Sequence, residues 1–380
     1  MKNTTKISDD FSKLVNPAKA TQICVGTGLI AFDSIYQKGT PQELSYYAGG
    51  SCGNVLSILA YLGWNSFPIA RFSNSDYSAE LIKDLEFWGV KTDFISISES
   101  GSTPVIFQKI TKYENGTTKH VFQQKCPNCK TWLPRYRPVT LDNISLIHFN
   151  LPDAKVFYFD RLAPSSLLLA KLYKEKGATI FFEPSSIKEE KNFFEALKLC
   201  DIIKFSDDRL GAKSEYLRRF EIPLLIETKG SRGLKYSVSG KEWNSIVPIK
   251  KINIEDSAGC GDWFSAGLIH ALSYEKGKKI ETIDKNTWVQ IFNFCQSLSS
   301  LNCFFEGART VMYSLNKKLF WNTIEKVSQG DFSGLEGLKI PSPCQVIRSD
   351  MYPCPSCADI IDIRPSIKLS CGPEYRYLYA

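Results

Sequence analysis

The sequence predicts an α/β protein: a doubly wound, mostly parallel sheet flanked by helices, with a small antiparallel β lid beside it. Three observations carry this expectation. From residue 22 onward, β-rich runs alternate with helix-like runs, the pattern of parallel strands joined by crossover helices. The strands are apolar stretches of about five residues, and the helices that follow have three or four turns. Two stretches break the rhythm, because Ile35 to Tyr47 and Val105 to Gln124 look extended with no helix between their strands.

Residues 1–21 mix charges and polar side chains and read as an N-terminal extension. The main domain, 22–330, opens with the strand-like QICVGTG, then the helix-like NVLSILAYLG, the strand FPIARF and the helix SAELIKDLEFWGV. The rhythm returns in KVFYFD, SSLLLAKLYKEKG, ATIFFEP, NFFEALKLC, DIIKFS and PLLIETKG. Between these halves, 35–47 and 105–124 can pair as a small sheet, the second around an Asn115-Gly116 hairpin turn. Standing off the main sheet, it would be a lid that keeps water from a reacting phosphate; an ordinary edge hairpin gives the same pattern. Residues 331–380, rich in Pro, Gly, Ser and Cys, are expected as loops packed on the domain.

Composition excludes several classes. In a chain of 380 residues, 43% hydrophobic against 23% charged is the balance of a folded globular protein, not of a disordered or fibrous one. The net charge of +7 is dispersed, and the densest basic cluster, KGKK at 276–279, is too short to read as a nucleic-acid site. The first twenty residues hold no apolar run long enough for a signal peptide or membrane span, so a cytoplasmic protein without a membrane partner is expected. In that setting the 12 cysteines are expected as reduced thiols or metal ligands, not as a disulfide framework.

The densest chemical signal is INIEDSAGCGDWFSAGLIHAL, 252–272, a β-like run, a glycine-containing turn and an apolar helix. The small residues Ala258, Gly259, Cys260 and Gly261 would set backbone N–H groups at a helix N-terminus, an anion hole for a transferring phosphoryl group. Asp262, in the first turn, would accept the proton of an attacking hydroxyl. Taken alone, the same pattern could be a capped helix with an acidic first turn.

DSAGCGD followed by FSAG resembles the carboxy-terminal signature of the ribokinase-like (PfkB) carbohydrate kinases, with Cys260 where Ala is usual. YAGGSCGNVLSILAYLG, 47–63, is similar to their amino-terminal signature. The resemblance implies a kinase that moves the γ-phosphoryl group of ATP, with Mg²⁺, onto a hydroxyl of a small sugar or sugar-like substrate. It implies Asp262 as base, and Asp33, Gly49, Gly50 and Asn54 as acceptor-binding residues. LLIETKGSRGLKYSV, 224–238, resembles the family's TxGxxG nucleotide element through Thr228, Gly230 and Gly233, and Gln296 lies in the place of its adenine-flanking helix. Where the family has NxxE, this chain reads KFSDDRLG, 204–211: Ser206 and Arg209 replace Asn and Glu, leaving Asp207 or Asp208 to supply charge for Mg²⁺. FFEPSSIKEEK, 181–191, lacks the DxNxR wording of many sugar kinases and looks more like members acting on nucleosides such as pseudouridine. A nucleoside kinase and a non-catalytic regulatory relative are therefore the alternatives. Family members pair through their lids, so a homodimer is the implied assembly.

CPNC at 126–129 and CPSC at 354–357 have the spacing at which paired thiolates share a tetrahedral Zn²⁺. Cys126, Cys129, Cys354 and Cys357 would make one four-thiolate site tying the tail to the segment after the lid, provided the fold closes the long separation. A redox-active CxxC and plain buried cysteines are the rivals. Cys24, Cys200, Cys295 and Cys303 fall in apolar patterns and are expected in the core.

Overall fold

The computed structural model describes residues 9–17, 22–37, 45–112, 118–187, 190–211, 214–217, 219–249, 256–275, 277–335, 354 and 356–357. The proposed turn at Asn115-Gly116, the β-like run 252–255, Cys344, Cys371 and most of the tail fall outside them. Thirteen strands form among the described residues: β1 Ile23–Thr27, β2 Ala31–Gln37, β3 Ser45–Gly49, β4 Asn65–Phe72, β5 Ile95–Ile97, β6 Val105–Lys112, β7 Thr118–Gln123, β8 Val156–Phe159, β9 Thr179–Phe182, β10 Ile202–Ser206, β11 Leu224–Thr228, β12 Leu234–Val238 and β13 Asn244–Ile246.

Nine of them make one sheet in the order β13-β12-β11-β10-β9-β8-β1-β4-β5. The strands from β5 to β11 run parallel, and β12 and β13 add an antiparallel edge. The apolar runs read as strands because both faces of this sheet are covered, so consecutive side chains enter two different cores. Tyr158, Phe181 and Ile202 pack on one side, with the helices Ser51–Tyr61, Cys260–Leu272 and Lys285–Asn302. Phe157, Phe159, Ile180, Phe182 and Ile203 pack on the other, with Pro164–Glu175 and Glu190–Leu199. Cys24, Cys200, Cys295 and Cys303 are all buried, as their patterns predict.

The chain reverses its direction of travel across the sheet at β1, which lies between β4 and β8; ligand crevices in open α/β sheets form at such points, outside the carboxyl ends of the strands. The four remaining strands form the small sheet β3-β2-β6-β7. Its hairpin pairs are antiparallel, as expected, while its central pair, β2 with β6, is parallel. That parallel pair arises because the two hairpins are separated by a stretch of the main sheet and come together side by side. Within the N-terminal extension a short helix, Asp9–Leu14, docks on the domain: Phe11 and Leu14 are buried, and Leu14 O lies 3.2 Å from His270 Nε2. Among the described residues no helix is long and apolar enough to cross a membrane.

Candidate active site

The helix Cys260–Leu272 starts where Gly259 takes a left-handed backbone, φ 74°. A Cβ there would stand 2.5 Å from Ala308 O, so the turn requires glycine both for its conformation and for the close approach. Asp256 is fully buried and holds this turn, accepting from Ala258 N at 2.7 Å and Gly307 N at 2.8 Å, while Asn302 Nδ2 donates to Ala258 O at 2.8 Å. The expectation for the anion hole is narrowed by this. Ala258's N–H is committed to Asp256 and Cys260's N–H donates to Ser257 O at 3.4 Å, which leaves Gly259 and Gly261 as the candidate donors of this set. Cys260 is inward: its Sγ lies 2.9 Å from Cys303 Sγ, and this shared contact together with burial pushes its thiol pKa up.

Asp262 is buried in the first turn of that helix. Asn54 Nδ2, on the helix Ser51–Tyr61, donates to its Oδ2 at 2.7 Å. Burial first, then the Glu183 charge, raises the Asp262 pKa to about 7, against the Asn54 hydrogen bond and the Lys204 and Arg209 charges. Asp33, on lid strand β2, is raised to about 7 as well, by burial and by the Asp262 charge, while Arg309 and the hydrogen bond from Gln108 pull it down. Burial thus raises both carboxyls towards neutrality, and the Asp262 charge adds to the rise at Asp33, the kind of perturbation that gathers at functional sites.

The glycines predicted at the acceptor side are required by crowding. A Cβ on Gly49 would stand 1.9 Å from Asp33 Oδ2, and one on Gly50, at φ 83°, 2.4 Å from Leu29 O. Gln108 Nε2, from lid strand β6, donates to Asp33 Oδ2 at 3.0 Å. Three oxygens here are buried without a hydrogen-bond partner: Asp33 Oδ1, Asn54 Oδ1 and Gln108 Oε1. An unpaired buried acceptor costs roughly 1–3 kcal/mol, so these three oxygens are places for donors brought by water or by a ligand.

Sequence reasoning passed over the floor of the site. Lys204 Nζ pairs with Glu183 Oε1 at 2.6 Å and donates to Gly261 O at 3.1 Å, bracing the helix start from below. Ser265 Oγ and the Tyr158 hydroxyl donate to Glu183 Oε2 at 2.6 and 3.0 Å. The signal was available: a single charge stands inside each of the apolar runs TIFFEP and IIKFS. Gln108 had no such signal, being one polar residue in a strand of mixed pattern. Asp160, at the end of β8, is also buried, where it accepts from Leu29 N at 2.9 Å and pairs with Arg161 at 2.7 Å.

The predicted nucleotide residues gather at the carboxyl ends of β10 and β11, where Ser206 and Thr228 stand opposite each other. Thr228 Oγ1 donates to Phe205 O at 3.2 Å. Gly230, at φ 55°, has nothing within 4 Å of where a Cβ would stand, whereas a Cβ on Gly233 would be 2.2 Å from Ile246 O. Gln296 Nε2 donates to Val247 O at 3.2 Å, so its amide nitrogen ties the helix Lys285–Asn302 to the strand edge. Asp207 Oδ2 accepts from Arg232 at 2.5 Å while its Oδ1 is buried without a partner, and Asp208 is exposed. Arg209, which replaces the expected acid, is close enough for its charge to oppose in part the burial that raises the Asp262 and Asp160 carboxyls.

The structure also brings together four cysteines far apart in sequence. The Sγ atoms of Cys126, Cys129, Cys354 and Cys357 all lie within 4.8 Å of one another, beyond the end of β7.

The family model for pfkB carbohydrate kinases matches residues 21–312. The chain belongs to the PfkB family. Among curated relatives, the ATP-dependent ribose-1-phosphate kinase of Halopiger xanaduensis is 25% identical over 228 residues, covering 58% of this chain and 72% of its own. The Escherichia coli fructokinase is 22% identical over 287 residues, covering 70% and 88%. Of solved structures, a Xylella fastidiosa fructokinase with bound ATP aligns with a TM-score of 0.64 at 16% identity, over 80% of this chain and 99% of that one. A Burkholderia thailandensis nucleoside kinase in complex with inosine aligns with a TM-score of 0.59 at 14% identity, over 81% and 98%. This PfkB protein is accordingly a phosphotransferase with the ribokinase-like fold.

Proposed function

We propose that this PfkB protein transfers the γ-phosphoryl group of ATP to a hydroxyl of a small polyol, a sugar or sugar-like molecule, with Asp262 as general base. The observation that carries this reading is the set of three unpartnered acceptors, Asp33 Oδ1, Asn54 Oδ1 and Gln108 Oε1, beside the Asp262 carboxyl. Buried acceptors call for a ligand rich in O–H donors, and a polyol supplies several on adjacent carbons.

Asp33, Asn54 and Gln108 orient the acceptor so that one hydroxyl faces Asp262. Asn54 holds the Asp262 carboxyl in place through its Nδ2, and the base takes the hydroxyl proton as the oxygen meets phosphorus in line. Charge growing on the phosphoryl oxygens faces the N–H groups of Gly259 and Gly261 and the positive end of the helix. Arg209 adds a cation on the same side. Thr228, Gly230 and Gly233 line the nucleotide side, and Asp207 would hold Mg²⁺ through water; when bound, that ion neutralises charge on the phosphates. The lid strands β2 and β6 carry Asp33 and Gln108, so the acceptor contacts are made by the element that excludes water. A cytoplasmic setting, with ATP at hand, fits this chemistry.

The test is an ATP-consumption screen over ketoses, aldoses, polyols and nucleosides, with Asp262→Asn as control. Turnover with a sugar or polyol that the control loses is the expected result. Preference for nucleosides would move the acceptor class, and no turnover with any acceptor would favour a regulatory role.

A further inference from the structure

Two short loops meet beside the lid, and neither belongs to the phosphoryl-transfer site. The first, Lys125 to Trp132, is closed by a β-bridge between its ends, by Cys126 N donating to Thr131 O at 2.9 Å and by Lys130 N donating to Cys126 O at 3.1 Å. Lys130 adopts a left-handed backbone, φ 62°, which a non-glycine residue holds only where its surroundings impose it. The second loop turns back at Cys357, whose N–H donates to Cys354 O at 2.9 Å. Each loop presents two thiols to the other.

Cys129 Sγ lies 3.6 Å from Cys354 Sγ, and Cys126 Sγ lies 3.9 Å from Cys357 Sγ. A tetrahedral zinc with Zn–S of about 2.3 Å separates its sulfurs by about 3.8 Å, so these two edges already have the length of that polyhedron. A disulfide would need about 2.05 Å. Four sulfur donors leave no open position for a substrate, which is the character of a structural site. Lys125 and Lys130, in the loop itself, offset the charge of a four-thiolate centre.

The position gives the site a purpose. Leu133 N donates to Gln124 O, and Val105 N, at the first residue of β6, donates to Pro134 O at 3.0 Å, so the first loop is stitched to the lid. Tyr36, on β2, donates to Gln123 Oε1 at 2.7 Å, just before that loop. Tyr77 packs against Phe32 at 5.1 Å between ring centres, and Phe32 precedes Asp33. Cys126, Cys354 and Cys357 are part of the same buried cluster as Phe32, Tyr36 and Phe107.

We propose that Cys126, Cys129, Cys354 and Cys357 bind one zinc ion as thiolates, and that this ion fastens the C-terminal tail to the base of the lid, bracing strand β2. Binding displaces the thiol protons to solvent and changes no oxidation state. The full chain, purified under reducing conditions without added zinc, should carry one equivalent by elemental analysis. Titrating its thiols with a mercurial should release that equivalent to a chromogenic chelator. Cys129→Ser and Cys357→Ser should each bring retained zinc below about a tenth of an equivalent at unchanged far-UV circular dichroism. The mercurial release on the unaltered chain decides the metal content even if a variant fails to fold. On zinc release, backbone hydrogen exchange should quicken in 31–37 and 105–112 and stay unchanged in 260–272. A folded chain with less than about a tenth of an equivalent, iron in place of zinc, or an intact mass showing two disulfides would overturn the metal assignment. Unaltered exchange in 31–37 would overturn the bracing role.

Discussion

The proposed acceptor end and the proposed nucleotide end of the candidate active site are built in different ways. At the proposed acceptor end Asp33, Asn54, Asp262 and Gln108 are all buried, and Gly49, Gly50 and Gly259 are each fixed by backbone or side-chain atoms that leave no room for a Cβ. At the nucleotide end Arg232 is 68% exposed where it pairs with Asp207, Asp208 is exposed, and open space surrounds Gly230. One end is shaped before its ligand arrives, and the other leaves its geometry to be completed by the ligand. Two departures from the family pattern, Ser206 and Arg209, fall at the second end, while a third, Cys260, is packed inward against Cys303.

The contrast can be broken most forcefully at Asp262. Asp262→Asn keeps the shape and the acceptor for Asn54 but removes the proton acceptor, so kcat should fall by roughly 10²–10⁴ with the fold intact. Wild-type kcat/KM should rise with pH through an ascending limb near 7, since the base works deprotonated and its pKa in the free protein is raised to about 7. The stability of the ligand-free protein should run the opposite way. A carboxyl whose folded pKa lies above its unfolded value favours folding at low pH, and that advantage fades as pH rises towards 7. The Tm of Asp262→Asn should therefore gain on wild type between pH 4 and 7 and level off above; a flat difference would mean that the carboxyl is not desolvated.

Beneath the base, Lys204→Met should destabilise by about 3–5 kcal/mol in urea melts, because it strands the buried Glu183 carboxylate. A loss below about 1 kcal/mol would show that the floor of the site is wet. Asp33→Asn should raise the acceptor KM by roughly tenfold to a hundredfold with a smaller change in kcat, the loss of a hydrogen bond to a charged group. The smallest effect is expected at the other end: Arg232→Ala should change stability by less than about 1 kcal/mol, as exposed ion pairs do, and a larger change would erase the difference between the two ends.

Much of this was legible in the sequence where chemistry follows from local order. The turn at Gly259, the helix after it and the placement of Asp262 are a property of some fifteen consecutive residues, so motif and geometry coincide. The strand runs were legible for the same reason: both faces are buried, and Phe157 to Phe159 or Ile180 to Phe182 could not sit elsewhere. Ala258 shows the limit, since its N–H looked free for an anion until Asp256 was seen to claim it. So do Gln108 and the Glu183–Lys204 pair, which matter because of residues many positions away in the chain.

Sequence by itself determined the α/β class, the catalytic turn and the list of thiols that could share a metal. Only the tertiary structure decided that the Asp262 charge reaches Asp33, that three buried acceptors are left without hydrogen-bond partners, and that thiols separated by 225 and 231 positions meet at tetrahedral spacing. The division is physical. Backbone conformation and binary pattern are set by neighbours in the chain, while desolvation, charge coupling and ligand polyhedra depend on which segments the sheet and lid bring together.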